Sequence, residues 1–342
     1  MIRELRIENF MSIRKEQVLS FEATKDKTSH ELLTVEIKPG MRLNRMLILY
    51  GANASGKSNI LYAYETIWRM LVSPYTNKLQ AIPFYAKICR AIENTASEHA
   101  YTTLILNTDG IREKELNAIR VMSGQMVSGV IIDISGKDTD LLMELNKFGL
   151  PFVVFGTTAG ELAADSVEAD DYNGAYQAAE YLYSCGHRKI GFVHGGMESV
   201  YSQRRLRGIR KALEHNGIEL EEKYIFYKAK TIQEGYLMGK KLVNFEDLPT
   251  AIIAYNDLVA VGMIRALEEN GRQVPDDISI IGFDDIELMT FPLTTVQIPE
   301  YEMGEKAAEL LFDKIMGKAS GRPREILLDT ELVVRKSVKR LL

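Results

Sequence analysis

With 342 residues, 46% of them hydrophobic and 26% charged, the chain has material for about two or three globular domains, which excludes the disordered and fibrous classes. The net charge is −5, a slight basic excess over residues 1–80 set against an acidic remainder, and so acidic a body argues against a direct grip on nucleic acid. Cys89 and Cys185 lie far apart without metal-ligand spacing, MIRELRIENF carries charge throughout, and no run of ~18 apolar residues occurs; a disulfide framework, a signal peptide and a membrane span are not expected, and a cytoplasmic location is.

In chain order, residues 2–10 alternate like an edge or half-buried strand, and residues 31–38 form a second strand stopped by Pro39-Gly40. Residues 46–50 (MLILY) form a third, wholly apolar strand that runs into GANASGKS at 51–58, and an amphipathic helix follows over 59–72. Strand, GxxxxGK[ST] and helix make up a P-loop in its required context. Gly51, Asn53 and Gly56 would bring backbone N–H groups onto phosphates. Lys57 would reach the β- and γ-phosphates, and the Ser58 hydroxyl would ligate Mg²⁺ of a bound ATP. With LRIENFMSI near the start, residues 1–72 resemble the N-termini of RecF/SMC-like and related AAA ATPases. Phosphoryl transfer also needs a second acid on the metal and an oriented water. The nearest Walker B candidate is Asp133 in GVIIDIS, but Ile134 stands where the following acid belongs. Asp133 therefore reads as a strand-end residue, and hydrolysis is not expected.

Residues 73–81 are polar, contain Pro74 and read as a linker. Beyond them helix and strand alternate: helix 84–100, strand 102–107 (TTLILN), helix 112–122, strand 129–134, helix 138–147, strand 151–155, helix 172–184, strand 189–194 and helix 203–216. Such alternation implies an α/β fold with a parallel sheet covered on both faces. The clearest stretch is 250–299: strand 251–254, helix 259–267 closed by Asn270-Gly271, and strand 278–282. Its strands end in Asn256-Asp257 and Asp284-Asp285. Ligands of open α/β sheets sit at the carboxyl ends of strands, and carboxylates and amides there suit a ligand rich in hydroxyl donors.

AYNDLVAVG at 254–262, VPDDISIIGFDD at 274–285 and PLTTVQIP at 292–299 together resemble the effector-binding domain of the LacI/GalR family. The resemblance extends through PFYAKICRAIENTASEH at 83–99, VEADDYNGAYQAAEYLYSCGHRKIGFVHG at 167–195, SQRRLRGIRKALEHNGI at 202–218 and LDTELVVRKSV at 328–338. It implies two Rossmann-like subdomains of the periplasmic-binding-protein type, joined by three crossovers near Ala169, Leu293 and Leu328. The N-lobe would hold 82–169 plus 294–324, and the C-lobe 170–293 plus 325–338. It further implies a homodimer and an effector in the interlobe cleft. Residue by residue it points to Arg205 for bidentate bonds, to Asp284 as an acceptor, to Asn256 as a weaker candidate, and to Phe84 or Tyr85 stacking on a ring. Asp170 and Asp171 fall at a crossover as cleft candidates, and His187 reads as structural. The family's helix-turn-helix headpiece is not recognisable, so DNA binding does not carry over; neither is the strand before the first helix, whose slot residues 46–50 could take. No nucleophile–base–acid set or zinc cluster emerges, so a binding protein needing no cofactor is favoured over an enzyme. The alternatives are an ATP-dependent protein acting through Lys57 and Ser58, and a fusion of two incomplete parts.

Overall fold

The computed structural model describes residues 4–7, 17–20, 34–38, 41–44 and 78–341, apart from 109–110, 125–126, 135–138, 157–163, 287–290 and 320. It divides into two compact units, Met1–Leu79 and Gln80–Leu342. In the first unit β1 (Glu4–Ile7) pairs antiparallel with β2 (Gln17–Ser20), and β3 (Thr34–Lys38) with β4 (Met41–Asn44). β1 and β3 fall inside the two strands expected there. The expected strand 46–50, the P-loop 51–58 and the helix 59–72 lie outside the described residues.

The helix α1 (Lys78–Glu98) runs across the division into the second unit, so the last residues of the expected linker belong to a helix. α2 (Arg112–Gly124), β5 (Val130–Asp133), α3 (Thr139–Lys147), β6 (Phe152–Phe155) and β7 (Ser166–Ala169) follow. Three strands, with β13 (Glu325–Leu328) from near the C-terminus, form a parallel sheet in the order β13-β7-β6-β5. α8 (Glu300–Ile315) packs across β5, β6 and β7. This is the N-lobe.

The C-lobe runs through α4 (Asp171–Ser184), β8 (Ile190–His194), α5 (Val200–His215), β9 (Ile225–Tyr227), α6 (Ile232–Val243), β10 (Ala251–Ile253), α7 (Asp257–Glu269), β11 (Ser279–Asp284), β12 (Thr294–Gln297) and β14 (Glu331–Val333). Its sheet has the order β14-β12-β11-β10-β8-β9 and is parallel except for β14. β8, β10 and β11 are buried along their whole length, because α4 and α5 pack together, as do α6 and α7, and a sheet covered on both faces needs unbroken apolar runs. Gly208 makes the first helix pair possible: a Cβ there would stand 2.1 Å from the Tyr172 carbonyl oxygen. The two-lobe α/β architecture is the one the family resemblance implied.

Three expectations need correction. Residues 102–107 form no strand, and Leu104, Ile105 and Leu106 are 53%, 64% and 40% exposed. An apolar run becomes a strand only where a neighbour takes up its backbone polar groups. The strand the family places before α1 is not among the described residues, and β5 is the outermost strand of the described N-lobe sheet. The second crossover falls after β12, around 298–299, because residues 294–297 pair in parallel with β11, from Ile281↔Thr294 to Asp284↔Gln297; that strand belongs to the C-lobe. Residues 325–328 belong to the N-lobe, where Glu325–Leu328 pairs with Ser166–Ala169, so the third crossover lies at 329–330.

Candidate functional site

The site grows from the carboxyl ends of the C-lobe strands. β8 ends at His194, and Ser199 caps α5 by accepting from the Ser202 N–H at 3.2 Å. The Ser202 hydroxyl in turn accepts from the Gly195 N–H at 2.9 Å, so the helix start is tied to the strand end. Tyr201 and Arg205 stand one turn apart on α5, on the same face. Below them Leu206, Ile209, Ala212 and Leu213 are buried and anchor the helix in the core.

Arg205 is 5% exposed and heavily engaged. Its Nε donates to Asp171 Oδ1 at 2.7 Å, its Nη1 donates to the Tyr255 carbonyl, and its guanidinium lies 3.6 Å over the Phe283 ring centroid. A buried guanidinium needs such partners, since an isolated buried charge is costly. Burial raises the pKa of Asp171, against the pull of Arg205.

Of the four polar residues at the ends of β10 and β11, three have structural duties. Asn256 caps α7, its Oδ1 accepting from the Val259 N–H at 2.9 Å, while its Nδ2 reaches the Lys230 carbonyl at 3.4 Å. Asp257 accepts from the Thr295 hydroxyl at 2.6 Å and the Ile286 N–H at 2.9 Å, which binds α7 to both flanking segments. Loss of hydration pushes its carboxyl up to about 6. Asp285 takes Gln297 Nε2 at 3.0 Å and Arg335 at 2.6 Å. Asp284 is different. It is 8% exposed, has a φ of 111°, and has no hydrogen-bond partner among the described residues. A non-glycine residue in that backbone region is strained, and such strain clusters at ligand-binding positions. Burial drives the Asp284 carboxyl well above the carboxylate range; Arg205 opposes this, and Asp257, Glu300 and Asp171 add to it.

The N-lobe brings a second carboxylate. Asp133, at the end of β5, accepts from the Tyr85 hydroxyl of α1 and, at 3.4 Å on its other oxygen, from the Tyr201 hydroxyl of α5. One carboxylate thus holds phenols from both lobes. It is open to solvent in the cleft but closely walled, and the lost hydration raises its pKa against the two hydrogen bonds. Burial, then the Asp133 charge, holds both tyrosines well above ordinary phenols.

Of the predicted residues, Tyr85, Arg205 and Asp284 therefore gather with Asp171 in one constellation. Asn256 sits beside it, with its amide used as a cap. Phe84 belongs to α1, and its side chain is outside the description. Gly51, Asn53, Gly56, Lys57 and Ser58, with the metal role of Ser58, also lie outside the described residues. Sequence reasoning missed Tyr201, Tyr255 and Phe283, and treated Asp133 only as a strand end. The i−4 spacing of Tyr201 from Arg205 was the available signal; nothing local marked the others. His187 is structural: its Nδ1 meets Thr250 Oγ1 and its Nε2 the Lys339 carbonyl, both at 3.0 Å. Among the described residues no group of three or more His, Cys, Asp or Glu is placed to hold a metal, and no helix is long and apolar enough to cross a membrane.

Residues 179–338 match the periplasmic binding protein-like domain family. The chain is similar to the HTH-type transcriptional repressor PurR of Mannheimia succiniciproducens, 32% identical over 76% of this chain and 78% of that one. To the HTH-type transcriptional repressor CytR of Escherichia coli it is 34% identical, over 76% of each chain. Among solved structures it resembles the transcriptional regulator CelR–cellobiose complex, with a TM-score of 0.68 and 32% identity over 75% of this chain and 79% of that one.

Proposed function

Because the chain belongs to the LacI family of transcriptional regulators, we propose that its interlobe cleft binds a sugar or nucleoside effector and reports the binding through lobe closure. The observation that carries this is Asp284: a strained, nearly buried carboxylate without a hydrogen-bond partner among the described residues, beside an arginine already held in place. Such an acceptor is paired when a ligand hydroxyl or N–H reaches it, and an unpaired buried polar group makes that pairing worth more. Asp284 accepts from the effector, Arg205 lends a remaining N–H, and Tyr85 and Tyr201 close over it from the two lobes. Crossovers at 169–170, 298–299 and 329–330 form the hinge. The effector shifts the lobe equilibrium by its differential affinity for the closed state. Its similarity to transcriptional repressors and to a regulator in complex with cellobiose supports a small-molecule sensor, which on this reading works in the cytoplasm as a homodimer.

A thermal-shift screen of the full chain against sugars and nucleosides tests the reading, since a ligand of the folded state raises the melting point. A shift with one of them that disappears in Asp284→Ala is the expected result. A shift with Mg·ATP alone, lost in Lys57→Ala, would transfer the function to residues 51–58.

A further inference from the structure

The charges around the cleft define what kind of ligand it takes. Asp284 has Arg205 as its attracting cation and Asp171, Asp257 and Glu300 as its acidic neighbours. Arg205 is already committed to Asp171 through Nε, to a carbonyl through Nη1 and to the face of Phe283. Its single charge is thus spread over Asp171 and Asp284 together. Lys87, the cation beside Glu300 at 3.8 Å, is paired with that carboxylate. Across the cleft, Asp133 adds another carboxylate whose partners are neutral phenols. The α5 N-terminus, which would favour an anion, carries Tyr201 turned toward Asp133, and its Ser202 N–H is taken up by the Ser199 hydroxyl.

We propose that the cleft selects an uncharged, donor-rich ligand and rejects the phosphate ester of the same compound. The inference rests on the sensor reading above and narrows it. Among the described residues an anion entering here meets acidic side chains and cations already engaged by carboxylates, and the lost hydration and acidic neighbours that disfavour charge on Asp284 disfavour it on a ligand phosphate as well. A hydroxyl or amine donor meets acceptors at both walls. Asp133 and Asp284 are then the specificity-determining pair, one on each lobe, with Arg205 and the tyrosines positioning what lies between.

The test is calorimetric titration of the full chain with ribose, glucose, adenosine and cytidine, each beside its phosphate ester: ribose 5-phosphate, glucose 6-phosphate, AMP and CMP. The expected result is that the parent compound that binds does so at least about tenfold more tightly than its ester. In Asp133→Asn the ratio should fall several-fold, because the substitution keeps the shape and the acceptor while removing the charge. An ester that binds as tightly as its parent overturns the inference and leaves the sensor reading standing. If neither parents nor esters bind, the sensor reading fails and the inference falls with it. Circular dichroism of the Asp133→Asn protein separates a lost ratio from a lost fold.

Discussion

The two lobes use the same construction and reach different degrees of completion. In the C-lobe, β8, β10 and β11 are buried end to end, each flanked on both sides. In the N-lobe, β5 grades from buried at Val130 to exposed at Asp133, and the apolar run 102–107 stands in solvent without a ladder. Both regions contain apolar runs of strand length. What separates them is whether a neighbouring strand receives the backbone hydrogen bonds, so a run's strand character belongs to the sheet as much as to the run.

The largest effect should come where the C-lobe concentrates charge. Arg205→Ala leaves Asp171 buried without its cation and removes the stack on Phe283, so urea denaturation should show a loss of about 3–5 kcal/mol. A loss under about 1 kcal/mol would show that this buried pair does not hold α4 and α5 together. The lobes can next be compared by like substitutions. Ile252→Ala, at a fully buried site in the centre of the C-lobe sheet, should cost about 2–5 kcal/mol, whereas Ile132→Ala on half-buried β5 should cost less than about 2. Equal losses at both positions would mean that β5 is as well enclosed as β10.

A pH experiment sharpens the same contrast. The Asp257 carboxyl is raised to about 6 by loss of hydration, so the folded state holds its proton over a range where the unfolded chain has released it. Stability from this group is therefore lost as pH rises from about 4 to about 6, by up to about 3 kcal/mol. Asp257→Asn should remove that descent from the difference between the two stability profiles. Parallel profiles over that range would show that the group does not titrate there. The smallest effect belongs to the N-lobe: Leu104→Lys should change stability by no more than about 0.5 kcal/mol, because the side chain is 53% exposed. A loss above about 2 kcal/mol would show the run to be buried in the folded protein, and would break the comparison between the lobes.

Much of this molecule could be read before folding. Apolar runs such as 251–253 and 280–283, flanked by helices with apolar faces, specify a parallel α/β sheet through local pattern. Stops such as Asn270-Gly271 specify helix ends through backbone geometry. The sequence also located the carboxyl-end polar pairs, and Arg205 and Asp284 among them. Only the tertiary structure decided which of those polar residues stays unoccupied. Asn256, Asp257 and Asp285 were indistinguishable from Asp284 by type and position until their partners Val259, Thr295, Ile286, Gln297 and Arg335 were in place. It likewise decided that Asp133 meets tyrosines 48 residues before and 68 residues after it, and that 102–107 forms no strand. The physical reason is common to all three. Periodicity and capping act over one or two turns of chain and are written locally, whereas the satisfaction of a polar group or a strand edge depends on neighbours that only the completed packing brings near.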